Sequence, residues 1–160
     1  MFVGQALPRV KRDRHDWPTL NKLLNEIGVR ENQIRKHFFY SALVNYFPGA
    51  QNGSHLVPTE EEITKERPRL KKQMNEFGPE VIVTVGKLSA CKCLNTKVHL
   101  LADVIGKKFI TDPYGLLGKQ IVVVPLPHPS GASTWRHKAK NKQLLKKALS
   151  VLKEEIINHA

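Results

Sequence analysis

The sequence predicts an α/β fold: a single domain over residues 1–160 in three layers, with a central, mostly parallel four-stranded sheet flanked by helices. Three observations carry this prediction. Short runs rich in β-branched and aromatic residues alternate with stretches of helical periodicity. Two of those runs, Val81-Ile82-Val83-Thr84-Val85 and Ile121-Val122-Val123-Val124, are almost unbroken apolar sequence, as strands covered on both faces require. The 160 residues, 41% of them apolar, are enough for one sizeable core and too few for two full domains.

Each element has its own local reason. Met1 to Val3 leads into Gly4 and reads as the first strand; Phe38 to Val44, running into Phe47-Pro48-Gly49, reads as the second. Between them Leu20, Leu23, Leu24 and Ile27 recur at i, i+3, i+4 and i+7, which predicts a helix over Thr19 to Ile27 with Asp16 as its N-cap and Gly28 past its end. A second helix opens on Pro58 and on Thr59 with Glu62 three residues later, the signature of a capping box, and stops at Gly78-Pro79. The Val81–Val85 strand turns through Gly86 into a short helix reaching Leu94. Between 98 and 118 the pattern is mixed: Val98 to Ile105 has helical character, Phe109-Ile110 is a short strand outside the main four, and Asp112-Pro113-Tyr114-Gly115 is a turn. The Ile121–Val124 strand ends in Pro125-Leu126-Pro127-His128-Pro129-Ser130-Gly131. A terminal helix follows with Leu145, Ala148, Leu149, Leu152 and Ile156 on one stripe and lysines elsewhere.

Charge narrows the function classes. Lys and Arg total 26 against 14 Asp and Glu, a formal net charge of +12, so a polyanionic partner is expected. The longest hydrophobic runs are about five to eight residues, against the roughly 20 needed to cross a bilayer, so no transmembrane helix is expected. The N-terminus lacks a basic n-region and an apolar h-region, which points to a cytoplasmic protein. Cys91 and Cys93, one residue apart, give no disulfide framework, no redox CxxC and no four-ligand zinc site, so neither metal nor other cofactor is expected.

In sheets of this kind ligands bind beyond the carboxyl ends of the strands, so the loops after Val3, Val44 and Val124 are the ones expected to converge. The first reads Gly4-Gln5-Ala6-Leu7-Pro8, followed by Arg9, Lys11, Arg12, Arg14 and His15. A glycine just after a strand permits close approach of a ligand to the backbone, and the next amides can donate to an anionic oxygen. A tight turn with a solvated charge run behind it would give the same residues. In the last loop three prolines in five residues hold His128 rigidly, and Ser130-Gly131 offers amides and a hydroxyl beside it. His128 is either a fixed catalytic histidine or a packing residue of the loop.

Gly4-Gln5-Ala6, the strand running into Phe47-Pro48-Gly49, the Pro58–Glu62 helix start, Pro79 through Lys87, and His128-Pro129-Ser130-Gly131 occur in an order and spacing that resemble the uracil-DNA glycosylase superfamily. The likeness spans nearly the whole chain and is nearest to the bacterial and archaeal branch related to the iron–sulfur class. It implies an enzyme that flips uracil, or another deaminated base, out of DNA and hydrolyses its N-glycosidic bond, with the uracil-DNA glycosylase fold. By resemblance His128 donates to the uracil O2 as charge develops there, and the amides around Gln5 and Ala6 assist. On the same resemblance Gln5 is expected to orient the attacking water without acting as a base, Gly4, Ala6, Trp17, Ser41 and Asn45 are expected to form the base pocket, and Arg9, Lys11, Arg12, Lys87, Ser130, Gly131, Ser133, Arg136 and Lys138 are expected to hold DNA. DNA is the implied partner of a monomer in the nucleoid.

The sequence departs from that pattern at named positions. Ala6 stands where many members carry Asp or Asn, and Gln5 where the iron–sulfur class carries Glu, so the motif keeps no carboxylate. The stacking aromatic has no Pro-Phe match after Pro8; Trp17 is the nearest substitute, with a core role at the helix start as its other reading. Ala42 stands where an Asn is expected, leaving Ser41 and Asn45 as polar neighbours. Tyr46 and Glu66 fall near two cluster-ligand positions and the N-terminal ligand pair would precede Met1, so no iron–sulfur cluster is expected, and Cys91 and Cys93 are expected to be buried as small apolar residues. Met1 also sits three residues before the first motif, where members carry a preceding segment, so the sheet edge and part of the DNA groove are expected to be unbuilt. His55 falls in the loop where one class of the superfamily uses a covalent histidine nucleophile; the basic residues of that motif are absent, and an exposed, inert histidine is the other reading. A catalytically weak or inactive member that binds DNA or a partner is the alternative function. A nucleotide-processing enzyme lacks support, since neither a Walker motif nor a Rossmann glycine fingerprint is present.

Overall fold

A computed structural model describes residues 1–10, 13, 15–130 and 134–159. Lys11, Arg12, Gly131 and Ser133, expected to contact DNA, lie outside the described residues. The chain runs β1 (Phe2–Ala6), α1 (Pro18–Glu26), α2 (Glu31–His37), β2 (Tyr40–Val44), a small hairpin of β3 (Ala50–Gln51) and β4 (Ser54–His55), α3 (Glu60–Phe77), β5 (Val81–Val85), α4 (Lys87–Cys93), β6 (Phe109–Thr111), β7 (Ile121–Leu126) and α5 (Ala139–Asn158). The main sheet has the order β2-β1-β5-β7-β6, with β2, β1, β5 and β7 parallel and β6 antiparallel to β7. The α/β class and the parallel sheet are as predicted, but the strands number five rather than four. The fifth is the Phe109–Thr111 segment, which adds to the outer side of β7 through Phe109↔Val123, Ile110↔Val122 and Thr111↔Ile121. β1 lies inside the sheet, between β2 and β5.

Alternation along the strands builds the layers. Ile82 and Val123 face one core with Leu70 and Met74 of α3 and Ala90 of α4. Val83 and Val124 face the other, with Leu20 and Leu24 of α1, Ile34 of α2, and Ala148 and Leu152 of α5. Each fully buried Leu, Ile or Val contributes about 1.5–3 kcal/mol relative to exposure.

The capping box of α3 forms as the sequence predicts. The Thr59 hydroxyl accepts from the Glu62 amide at 3.2 Å, the Glu62 carboxylate accepts from the Thr59 amide at 2.8 Å, and Gly78 closes the helix in the left-handed region at φ 62°. α1 departs from prediction: it begins at Pro18, whose fixed φ suits the first helical position, so the N-cap position falls on Trp17 rather than Asp16. The helical reading of 98–105 shrinks to a 3-10 turn at Leu101–Asp103.

Candidate active site

The end of β1, the first three residues of β2, Pro48 in the loop after it, the β3–β4 hairpin, the segment before α1 and the loop after β7 enclose a cavity of about 730 Å³. That is a size suited to a small organic ligand. β1 and its continuation contribute Gln5, Ala6 and Pro8; β2 contributes Tyr40, Ser41 and Ala42. Asp16, Trp17, His55 and His128 complete the groups with chemistry to offer.

Trp17 is held in the wall by its neighbours. Its ring lies 5.8 Å from that of His128 and 6.2 Å from that of Tyr40, and it also packs against the core on the α1 side. Gly4 makes room for it: a Cβ there would stand 3.2 Å from the outer edge of the indole. Tyr40 spends its hydroxyl on the Asn21 side chain at 2.8 Å.

Ser41 is nearly buried, and its hydroxyl is committed. It donates to Gln73 at 2.6 Å and accepts from Arg69 at 3.2 Å. Arg69, one turn before Gln73 on α3, uses its whole guanidinium. It also donates to Glu66 at 2.6 Å, to Gln73 at 2.7 Å, and to the carbonyls of Ala42 at 2.6 Å and Leu43 at 3.2 Å. The strand end that forms this wall is therefore fixed from α3.

His128 shows a defined proton arrangement. The Ser130 amide donates to its Nδ1 at 3.3 Å, so in the neutral ring the proton sits on Nε2. Sinking one side of the ring among protein atoms, and then the charge of nearby His55, lower its pKa below the usual 6.5, while its other edge stays open. At neutral pH the group is thus an uncharged N–H donor. His55 itself stands edge-on to Phe47, with ring centroids 5.2 Å apart.

The model of the uracil DNA glycosylase superfamily matches residues 1–153. The chain belongs to this superfamily. A relative named type-4 uracil-DNA glycosylase from Saccharolobus solfataricus is 31% identical over 143 residues, covering 82% of this chain and 61% of the relative. Another of the same name from Sulfurisphaera tokodaii is 29% identical over 144 residues, covering 82% of this chain and 60% of the relative. The chain thus spans about three fifths of the length of these relatives.

With the superfamily in hand, the expected site residues divide. Gln5, Ala6, Trp17, Ser41 and His128 share one cavity, and Gly4 adjoins it. Asn45 does not line it: the residue is exposed and its backbone amide donates to Glu66 at 3.0 Å. Lys87 donates to the His99 carbonyl at 2.7 Å, Arg136 to the Pro129 carbonyl at 3.2 Å, and Arg9 and Lys138 are exposed. Sequence reasoning missed Asp16 as a site residue. Reading it as a cap assigned its carboxylate to the helix; Pro18, which shifts the cap to Trp17, was the signal that could have found it.

The superfamily's iron–sulfur class raises the question of a cluster, and the residues present do not fit one. Cys91 and Cys93 both sit on α4; burial pushes the Cys93 thiol up to about 12, and Cys91 sulfur accepts from the Val98 amide at 3.4 Å. Tyr46 donates instead to Glu62 at 2.9 Å, and Glu66 is taken by Arg69 and Asn45. Among the described residues no group of three or more His, Cys, Asp or Glu side chains could hold a metal, and no helix is long and apolar enough to cross a membrane.

Proposed function

We propose that this chain is a DNA repair glycosylase that takes a flipped-out uracil, or another deaminated base, into the cavity and hydrolyses its bond to deoxyribose, leaving an abasic site. The observation that carries the reading is His128: an imidazole lining the cavity, uncharged at neutral pH, its Nδ1 occupied by the Ser130 amide so that Nε2–H is left to donate, with Trp17 beside it. As the C1′–N bond breaks, both electrons leave with the base, and negative charge builds on its carbonyl oxygen. A fixed N–H donor stabilises that charge more than it stabilises the substrate, which is the requirement for catalysis. The sugar becomes an oxocarbenium ion, and water adds to C1′ and gives up a proton. Gln5 can orient this water but cannot accept the proton. Asp16, the one acidic residue lining the cavity among those described, is the group we assign to accept it. Trp17 offers the aromatic face against which a flipped base stacks.

A second reading is supported by β1 itself, where Gln5 and Ala6 leave the strand end without a carboxylate. On that reading the chain binds DNA or a partner and hydrolyses poorly. Both are tested by incubating the protein with end-labelled oligonucleotides carrying uracil, hypoxanthine or xanthine, then alkali, with His128→Ala in parallel. Strand scission at one base, lost in the variant, is expected; binding without scission at any base would establish the second reading.

A further inference from the structure

Beyond the His128 loop a second depression, of about 490 Å³, runs along the first half of α5. Leu145 and Leu149, both nearly buried, line it together with Arg136, His137, Lys142 and Lys146. Ser130, two residues along the chain from His128, belongs to this lining, so the loop after β7 contributes one residue to the base cavity and another to the groove. Glu26, the last residue of α1, is its one acidic residue among those described.

The excess of positive charge here is written into the sequence. No Asp or Glu occurs between Leu126 and Glu154, an interval that carries Arg136, Lys138, Lys140, Lys142, Lys146, Lys147 and Lys153. On α3 the arrangement differs: Lys65 pairs with Glu61 at 2.7 Å, Arg69 with Glu66 at 2.6 Å and Lys72 with Glu76 at 3.8 Å. Among the described residues Arg136, His137, Lys142 and Lys146 form no ion pair. Lys142 and Lys146 stand one turn apart on one face, where like charges repel and destabilise a free helix. Their separation along the axis, about 6 Å, is of the order of the step between successive phosphates on a strand.

We propose that this groove holds the phosphodiester backbone of the DNA strand flanking the flipped nucleotide, phosphates on Lys142, Lys146 and Arg136 and the apolar face of deoxyribose on Leu145 and Leu149. The inference rests on the glycosylase reading above, because it takes its ligand from the strand that enters the base cavity. Concavity, and the loop after β7 that lines both the groove and the base cavity, favour a nucleic-acid strand over a flat anionic membrane. The contacts carry no base information, so the groove adds affinity without sequence preference.

The test uses fluorescence anisotropy with a labelled duplex bearing one non-hydrolysable uracil nucleotide, titrated over a range of salt. Each phosphate contact contributes about 0.9 to the slope of log affinity against log salt, so Lys142→Gln/Lys146→Gln is expected to lower the slope by about 1.8 and the affinity about tenfold or more. Glu26→Gln is expected to tighten binding. Lys71→Gln/Lys119→Gln removes the same charge from exposed positions on α3, in the other helix layer, and before β7, and is expected to keep the wild-type slope. Wild-type excision and binding with an unchanged slope in the Lys142/Lys146 variant would overturn the groove and leave the glycosylase reading standing. Neither excision nor binding by the wild type would overturn both. Loss of binding to phosphatidylserine vesicles in that variant, with its DNA slope intact, would assign the groove to a membrane surface and overturn the proposal.

Discussion

Truncating His128 to alanine separates catalysis from binding and folding in a single variant. The lost group is one N–H donor held at the cavity, and removing a donor of this kind from the site of developing charge costs about 2.7–4 kcal/mol, a 10²–10³-fold fall in rate. The structural losses are smaller. The ring contact with Trp17 at 5.8 Å is worth about 0.5–1.5 kcal/mol, and the Ser130 amide gives up only a long 3.3 Å bond. Single-turnover excision of uracil from a labelled oligonucleotide, with anisotropy and a thermal melt alongside, reads all three. Equal losses of rate and affinity, or a rate loss below tenfold, would refute the assignment. The pH profile adds an independent check. Because burial and the neighbouring His55 lower the His128 pKa, the neutral ring persists below pH 6.5. Protonating Nδ1 turns it from acceptor to donor against the Ser130 amide and releases the ring. The rate is therefore expected to hold down to pH 6.5 and to fall only below it; a decline already under way between pH 8 and 7 would contradict the neutral donor.

Asp16→Asn keeps the shape of the cavity wall and removes its carboxylate; a drop in excision of about 10²-fold or more is expected, general base catalysis being worth 10²–10⁴-fold, with DNA affinity retained in the same binding assay. Arg69→Met strands the Glu66 and Gln73 side chains and two β2 carbonyls at a partly buried position, so a loss of about 2–4 kcal/mol is expected, seen as a fall of roughly 5–15 °C in the melting midpoint. Thr84→Val removes a fully buried hydroxyl that has no hydrogen-bond partner among the described residues; the variant should melt at or above the wild-type temperature, since an unsatisfied buried polar group costs about 1–3 kcal/mol.

The parts of the fold legible in the sequence are those whose signal is local and repeated. Val81–Val85 and Ile121–Val124 announce central strands by apolar continuity, Thr59 and Glu62 announce α3, and the Leu145–Ile156 stripe announces α5. α2 escaped because Ile34 is its one buried residue, which leaves no stripe to read. β6 is three residues long and depends on β7 for its pairing, and the β3–β4 hairpin has two residues per strand, both exposed. In the site, convergence of the β1, β2 and β7 loops follows from parallel topology and could be foreseen. Arg69 could not: its spacing to Ser41, Ala42 and Leu43 exists only after α3 folds back across β2. Asp16 was hidden by one residue of helix phase.

β2 forms one edge of the main sheet, where a strand ordinarily leaves carbonyls that another chain can recruit. Here the outward carbonyl of Ala42 is already held by the Arg69 guanidinium, itself anchored through Glu66 and Gln73. An incoming strand would have to evict a charged group from a set of satisfied bonds before forming its first rung. The side chain that steadies the cavity wall thus also stands against growth of the sheet into a neighbouring molecule.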